Sequence, residues 1–172
     1  RADSGYALRC AARNGHVAVV QFLAARMALT RADATADSNA ALRWAALGGH
    51  LAVLRLLVSL FGLTREDARA DNNYALRWGC QRGQYDVVKF LCDAFDLTLD
   101  DLRAGDNCAL RWSAQKGFLL VVRFLAARFD LTRDDARAGV RAALRWSAHN
   151  GHLPIVRFLA TRYPLAEADA RA

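Results

Sequence analysis

The sequence predicts an all-α fold, a helical-repeat solenoid of five stacked helix-turn-helix units with an extra short helical turn in each connection. Three observations lead there. Ala-Leu-Arg recurs at 7–9, 41–43, 75–77, 109–111 and 143–145, always 34 residues apart. A glycine follows each copy at one offset: Gly15, Gly49, Gly83, Gly117 and Gly151. Behind each glycine comes an apolar block, VAVVQFL, LAVLRLL, YDVVKFL, LLVVRFL or LPIVRFL. Self-similarity at one period outranks any local motif, because such a unit buries its apolar faces only against its neighbours. The units fall at about 1–34, 35–68, 69–102, 103–136 and 137–172, read as a single array. The chain opens at Arg1, without Met and inside a repeat, so it is expected to be a piece of a longer array.

Each unit has three parts. In the central copy, Tyr74–Gln81 places Leu76, Gly79 and Cys80 at helical spacing. Other copies put Ala-Ala or Ser-Ala at the last two places, small enough for close helix approach. Trp78 falls on a second face, which only neighbouring repeats could bury. Gly83 then ends the helix, as glycine does past a C-cap. The second helix, Tyr85–Phe95, carries Val87, Val88, Phe90 and Leu91 on two faces, so it too is expected to be buried on two sides. Pro154 fits the first turn of the last such helix, and Pro164 would stop it.

The third part begins with Thr98 followed three residues later by Asp101, and the pair recurs as Thr30/Asp33, Thr64/Asp67 and Thr132/Asp135. This is a capping box with Asp for Glu, opening about one turn of helix. The last copy has Ala166 for the Thr while Asp169 is kept. Polar turn residues, Asp71-Asn72-Asn73 or Gly105-Asp106-Asn107, lead into the next unit. Helices are predicted near 40–47, 74–81 and 108–115, with partners near 51–61, 85–95 and 119–129 and a short turn near 64–69.

The order ALRWAA, two variable residues, Gly-His and an apolar LxVVRFL block resembles the ankyrin repeat. The family's TPLHxAAxxGHLEVVKLLL aligns with it without a gap. Gly15-His16, Gly49-His50 and Gly151-His152 match outright, and Gln84 and Phe118 replace the His elsewhere. The resemblance spans the chain but is weak in the connection, where LTREDARA stands in place of the family's β-hairpin. Tyr74-Ala75 replaces Thr-Pro, and Arg77 replaces the family's His. The wording DNNYALRWG is similar to divergent ankyrin arrays of protists and large DNA viruses. The resemblance implies protein binding on a concave face, built from turn residues and the variable end of the first helix. Those positions are Arg13, Asn14, Leu47, Asn73, Gln81, Arg82, Asn107, Gln115, Lys116, His149 and Asn150.

No chemistry competes with binding. Glu66-Asp67, Asp100-Asp101 and Asp134-Asp135 are adjacent first-turn acids, which suit the helix dipole better than acid–base catalysis. His16, His50 and His152 sit in the family's structural turn. Gly151 breaks the helix between His149 and His152, which argues against a metal site. No nucleophile elbow, Walker loop or dinucleotide fingerprint occurs. The chain is therefore read as non-catalytic, with no cofactor, metal or small-molecule substrate. Cys10, Cys80, Cys92 and Cys108 show neither a CxxC pair nor periodicity, consistent with free thiols in an intracellular protein, cytoplasmic or nuclear. The longest apolar run, Leu51–Leu63, is interrupted by Arg55 and is shorter than the ~20 residues of a membrane span.

The net charge of +7 leaves nucleic acid open as an alternative partner. Gln21, Arg55, Lys89, Arg123 and Arg157 form a regular row on the second helices, but no aromatic residue is expected to interleave with it for base stacking. A structural spacer is the third reading. One last periodicity is Arg9, Arg43, Arg77, Arg111 and Arg145, set in apolar helices. A guanidinium there has five donors to satisfy. The equally regular Asp33, Asp67, Asp101, Asp135 and Asp169, or turn carbonyls, are its expected partners, in an arginine ladder along the stack.

Overall fold

The computed structural model describes residues 2–131 and 139–163. Among these residues the chain is all-α, with ten helices and no strand. In chain order they are α1 (Ala2–Arg13), α2 (Val17–Arg26), α3 (Arg31–Gly48), α4 (Leu51–Phe61), α5 (Arg65–Gln81), α6 (Tyr85–Ala94), α7 (Leu99–Gln115), α8 (Leu119–Arg128), α9 (Arg141–His149) and α10 (Leu153–Arg162). They belong to two compact units, Arg1–Leu97 and Thr98–Ala172. In the first, α1, α3 and α5 pack in order, α2, α4 and α6 pack in order beside them, and each odd helix packs on the even helix that follows it. In the second, α7 packs on α9, α8 on α10, and each pair is joined in the same way.

The core follows the period of the sequence. Leu8, Leu42, Leu76 and Leu110 are buried, and so are Val53, Leu54 and Leu57 of α4 and Val87, Val88 and Leu91 of α6. Each such side chain contributes about 1.5–3 kcal/mol when withdrawn from water. The small residues Ala45, Ala46, Cys80, Ser113 and Ala114 are fully buried. The Ser113 hydroxyl donates back to the Ala109 carbonyl at 2.8 Å, so its burial leaves no orphan donor. Gly79 has no room for a side chain larger than Ala, since an added Cβ would already lie 3.3 Å from Val88. Pro154 occupies the first turn of α10, as its position predicts.

The connections are where the chain departs from ordinary geometry. No strand occupies 64–73, where a hairpin finger would lie. The Thr-Asp cap opens a helical turn. Asp33, Asp67 and Asp101 each accept the backbone N–H of the Thr three residues earlier, at 2.8, 2.7 and 2.8 Å. Thr132/Asp135 and Ala166/Asp169 lie outside the described residues, as does Pro164. The helical turn does not simply run into the next helix. Ala36, Ala70 and Ala104 become extended (ψ 151°, 139° and 138°), and three residues then enter the left-handed region. These are Asp37-Ser38-Asn39, Asp71-Asn72-Asn73 and Gly105-Asp106-Asn107, with φ between 53° and 62°. A residue with a Cβ meets its own carbonyl there at about 1–2 kcal/mol each, and Asp, Asn and Gly are the types that tolerate it best. The polar turn foreseen from the sequence is thus one turn of left-handed helix, joining two right-handed ones.

The next connection supports this account from the opposite side. Its corresponding residues are Gly139-Val140-Arg141, without Asn or Asp. Val140, which a β-branched side chain bars from the left-handed region, has φ −73° and ψ −37°. The test is the exposed Asn72, at φ 58°. Asn72→Val should lower the urea unfolding free energy by about 1–2 kcal/mol, and Asn72→Gly should leave it unchanged or raise it slightly. Equal effects of the two substitutions would contradict a left-handed turn at this position.

Candidate functional site

The recurring arginines meet these left-handed turns. Such a turn points its carbonyls away from any right-handed helical donor, and the guanidinium supplies the missing N–H groups. Arg43 Nη2 donates to the Asp37 carbonyl at 2.8 Å. Arg77 donates through Nε to the Asn72 carbonyl at 2.8 Å and through Nη2 to the Asp71 carbonyl at 2.9 Å. Carboxylates complete the set: Arg9 pairs with Asp37 at 2.9 Å, Arg43 with Asp71 at 2.6 Å and Arg111 with Asp106 at 2.6 Å. The first two pairs cross from one repeat to the next. The acids that meet these arginines therefore lie in the left-handed turns, four or five residues beyond the Asp33, Asp67 and Asp101 singled out by periodicity. Those three close the caps instead, and Asp67 also receives Arg31 from the preceding repeat at 2.6 Å. Arg145 differs from the expectation: it is exposed, with its guanidinium 6.0 Å from the Trp146 ring centroid. Asp135 and Asp169 lie outside the described residues.

Rings lie beside the same arginines. Tyr74 lies between Arg43, at 4.7 Å from its ring centroid, and Arg77, at 5.4 Å, and it also stacks against Trp78 at 5.2 Å. A cation over an aromatic face in such half-buried surroundings is worth about 1 kcal/mol. The turn of Gly and His or Gln adds a second junction. His50 Nε2 bonds the Arg13 carbonyl at 2.9 Å, and His152 Nε2 bonds the Gln115 carbonyl at 2.9 Å. Both carbonyls end the first helix of the preceding repeat. In the same way Gln84 lies over Gly49, where φ is 78° and an added Cβ would sit 2.5 Å from its amide oxygen.

The positions expected to dock a partner divide into two sets. Arg13, Asn14, Arg82, Lys116, His149 and Asn150 are exposed at the C-terminal ends of α1, α5, α7 and α9, with Leu47, Gln81 and Gln115 half-buried among them. Several are held in place: Asn14 donates to the Cys10 carbonyl at 2.8 Å, Asn150 to the Trp146 carbonyl at 2.7 Å, and Arg13 lies over Trp44 at 5.5 Å. An open cavity of about 370 Å³ is lined by Arg145, Trp146 and His149. Asn73 and Asn107 do not belong to this surface. Both take left-handed backbone, Asn73 is only 5% exposed, and the Asn107 side chain packs against Gly139. Their role is to allow the turn.

The basic row on the second helices also corrects an expectation. Arg55, Lys89, Arg123 and Arg157 are exposed, but aromatic rings do interleave with them. Arg55 lies 5.8 Å over Phe90, and Arg123 lies 5.6 Å over Phe158, each ring coming from the following repeat. The signal was present in the sequence, since Phe22, Phe90, Phe124 and Phe158 recur in phase one residue after the row. The guanidinium covers the ring, so the apolar face is closed by the cation of its neighbour.

Among the described residues no cluster of three or more His, Cys, Asp or Glu side chains is disposed to hold a metal ion, and no helix is long and apolar enough to cross a membrane. Glu66 is held below the usual carboxylate range by bonds from its own backbone N–H and the Thr64 hydroxyl, an effect of its place at a helix start. Burial pushes the Cys80 thiol well above its ordinary range, with Cys92 adding to the shift. No family model and no curated protein matches the chain.

Two outcomes follow. Arg43→Ala, which removes both the turn donor and the bridge to Asp71, should cost about 2 kcal/mol in chemical denaturation, and Arg43→Lys should recover only part, lacking the planar fork. A stability unchanged by Arg43→Ala would show that the ladder holds nothing together. Because the Cys80 pKa is raised, its thiol stays protonated at pH 7 and should remain unalkylated by iodoacetamide in the native protein up to mildly alkaline pH, as mass spectrometry of the modified peptide would reveal.

Proposed function

We propose that the chain is a non-catalytic protein-interaction scaffold, an ankyrin-like solenoid that binds a protein partner on the concave face formed by the ends of its first helices. One observation carries this reading. The side chains at those ends differ from repeat to repeat, yet sit on a framework bonded at constant positions. Arg82, Lys116 and His149 are exposed beside glycines that occur in every copy. A fixed support with a variable surface is what an adaptable binding module requires, since preorganised groups lose little entropy on contact. Buried or unpaired thiols are consistent with an intracellular location, cytoplasmic or nuclear.

Nucleic acid binding is the second reading, favoured by the exposed row at Arg55, Lys89, Arg123 and Arg157. Against it, Arg55 and Arg123 already lie over Phe90 and Phe158, so a base would have to displace them to stack on those rings. A single experiment separates the two. Immobilised wild-type chain should capture a protein from lysate that a variant with Arg82→Glu, Gln115→Glu and Lys116→Glu does not, while both show the same helical circular dichroism. Capture that survives these substitutions, but vanishes with nuclease and falls with salt at a log–log slope of about −0.7 per phosphate, would overturn the protein reading in favour of single strands.

A further inference from the structure

We propose that the helix-end surface of the first compact unit takes an acidic peptide segment of a protein partner, with two carboxylates about five or six residues apart and an apolar side chain between them. The proposal rests on the protein-binding reading above and names the chemistry of that partner.

Charge is sorted by place in this unit. Residues 10–16, 44–50 and 78–84 end the first helices α1, α3 and α5 and turn into the second ones, and they contain no Asp or Glu. Most of the unit's acids sit in the connections, where they are already engaged: Asp37 meets Arg9, Asp67 meets Arg31, Asp71 meets Arg43 and Asp96 meets Arg65. Arg13 and Arg82 at the helix ends are exposed, and among the described residues no carboxylate pairs with either. The nearest acid in sequence to Arg82 is Asp86, in the first turn of α6.

An apolar stretch separates the two cations. α3 packs between α1 and α5, so its end has a repeat on either side. It presents Trp44 and Leu47, and α5 adds Trp78 and Gln81, all half-buried. Arg13 lies 5.5 Å over the Trp44 ring and Tyr74 stacks on Trp78 at 5.2 Å, so both indoles have fixed neighbours before a partner arrives. Preorganised aromatic faces lose little entropy on contact and suit the centre of an interface. Neighbouring packed helices lie about 8–10 Å apart, which sets Arg13 and Arg82, two repeats apart, about 16–20 Å from each other. An extended chain rising about 3.3 Å per residue covers that span in about five or six residues. Its end carboxylates each meet a guanidinium fork, and the residue midway faces Leu47 and the indoles. A nucleic-acid strand fits less well. It carries a charge on every nucleotide, and between the two arginines it would find apolar side chains and an amide instead of cations.

Fluorescence anisotropy of a fluorescein-labelled random copolymer of glutamate and tyrosine tests this. The wild-type chain should bind the copolymer, and should bind polyglutamate without tyrosine several-fold more weakly. Arg82→Glu should weaken copolymer binding roughly tenfold or more, through loss of a charge-assisted contact. Arg26→Glu should change it by less than about twofold, because that charge is remote and screened. Arg26 is exposed in the last turn of α2, so this control matches the change in net charge and in charge at a helix end. Both variants should keep the wild-type thermal melt; if Arg82→Glu melts early, Arg82→Ala should still show part of the loss. Failure of the copolymer to bind would overturn the proposal. So would equal losses from Arg82→Glu and Arg26→Glu, which would mean attraction to net charge alone, or polyglutamate binding as tightly as the copolymer. A thymidine oligonucleotide that binds more tightly, with the same dependence on Arg82, would replace the acidic segment by a phosphate backbone. Lysate capture that is lost on substituting Arg82, Gln115 and Lys116 but is not competed by the copolymer would overturn the acidic segment and leave the scaffold reading standing.

Discussion

The interaction on which the structure depends is the bond between an arginine in an apolar helix and a left-handed turn. Each partner solves a problem of the other. Three consecutive left-handed residues leave backbone carbonyls that no helical N–H can reach, and an arginine among leucines leaves N–H donors that no apolar neighbour can accept. Arg43 shows the match most fully: it donates to the Asp37 carbonyl in its own turn, pairs with Asp71 in the next and lies over the Tyr74 ring. Neither the turn nor the arginine is a favourable choice alone. Together they tie the connecting segment to the first helix and one repeat to the next.

The histidine junction repeats this logic on the other side of each repeat. A glycine in left-handed backbone ends the first helix and leaves room where a side chain would stand. The next repeat fills that room with His50 or Gln84, and His50 also takes up an end-of-helix carbonyl. Glycine here is both the stop and the socket. Framework positions of this kind are bonded by neighbours and cannot vary freely, which leaves the exposed helix ends as the places where repeats differ.

Much of this was legible in the sequence. The 34-residue period, the glycine stops and the two-faced apolar blocks placed the helices, since all three are local patterns. The Thr-Asp caps were legible because their spacing is fixed by one turn of helix. What was not legible was backbone handedness. Asp71-Asn72-Asn73 reads as a polar turn in any conformation, so Asn73 and Asn107 passed for surface contacts when they are there for their backbone tolerance. The error in the ladder's acids has the same root. Asp67 recurs in every repeat whereas the counterparts of Asp71 are Asp37, Gly105 and Gly139, so periodicity pointed to the wrong acid, and only the reversal of the chain between them decides which one faces Arg43. The Phe rings beneath Arg55 and Arg123 were readable but overlooked, because each belongs to the repeat after its cation.

The crossing bonds also bear on how such a chain grows. In the first compact unit the donor arginine stands in one repeat and its acceptor carboxylate in the next, as Arg9 with Asp37 and Arg43 with Asp71. Excision of residues 35–68 would therefore set Arg9 opposite Asp71 and His16's turn opposite Gln84, with the same chemistry at the new seam. Duplication of that segment would likewise create no mismatched seam. Rearrangements in whole multiples of the period thus keep the seam wherever the incoming turn carries an acid at the place of Asp37 or Asp71, whereas Gly105 or Gly139 at that place would leave the arginine without its carboxylate. For the segment 35–68, gain or loss of an entire repeat is therefore the change that leaves these bonds intact.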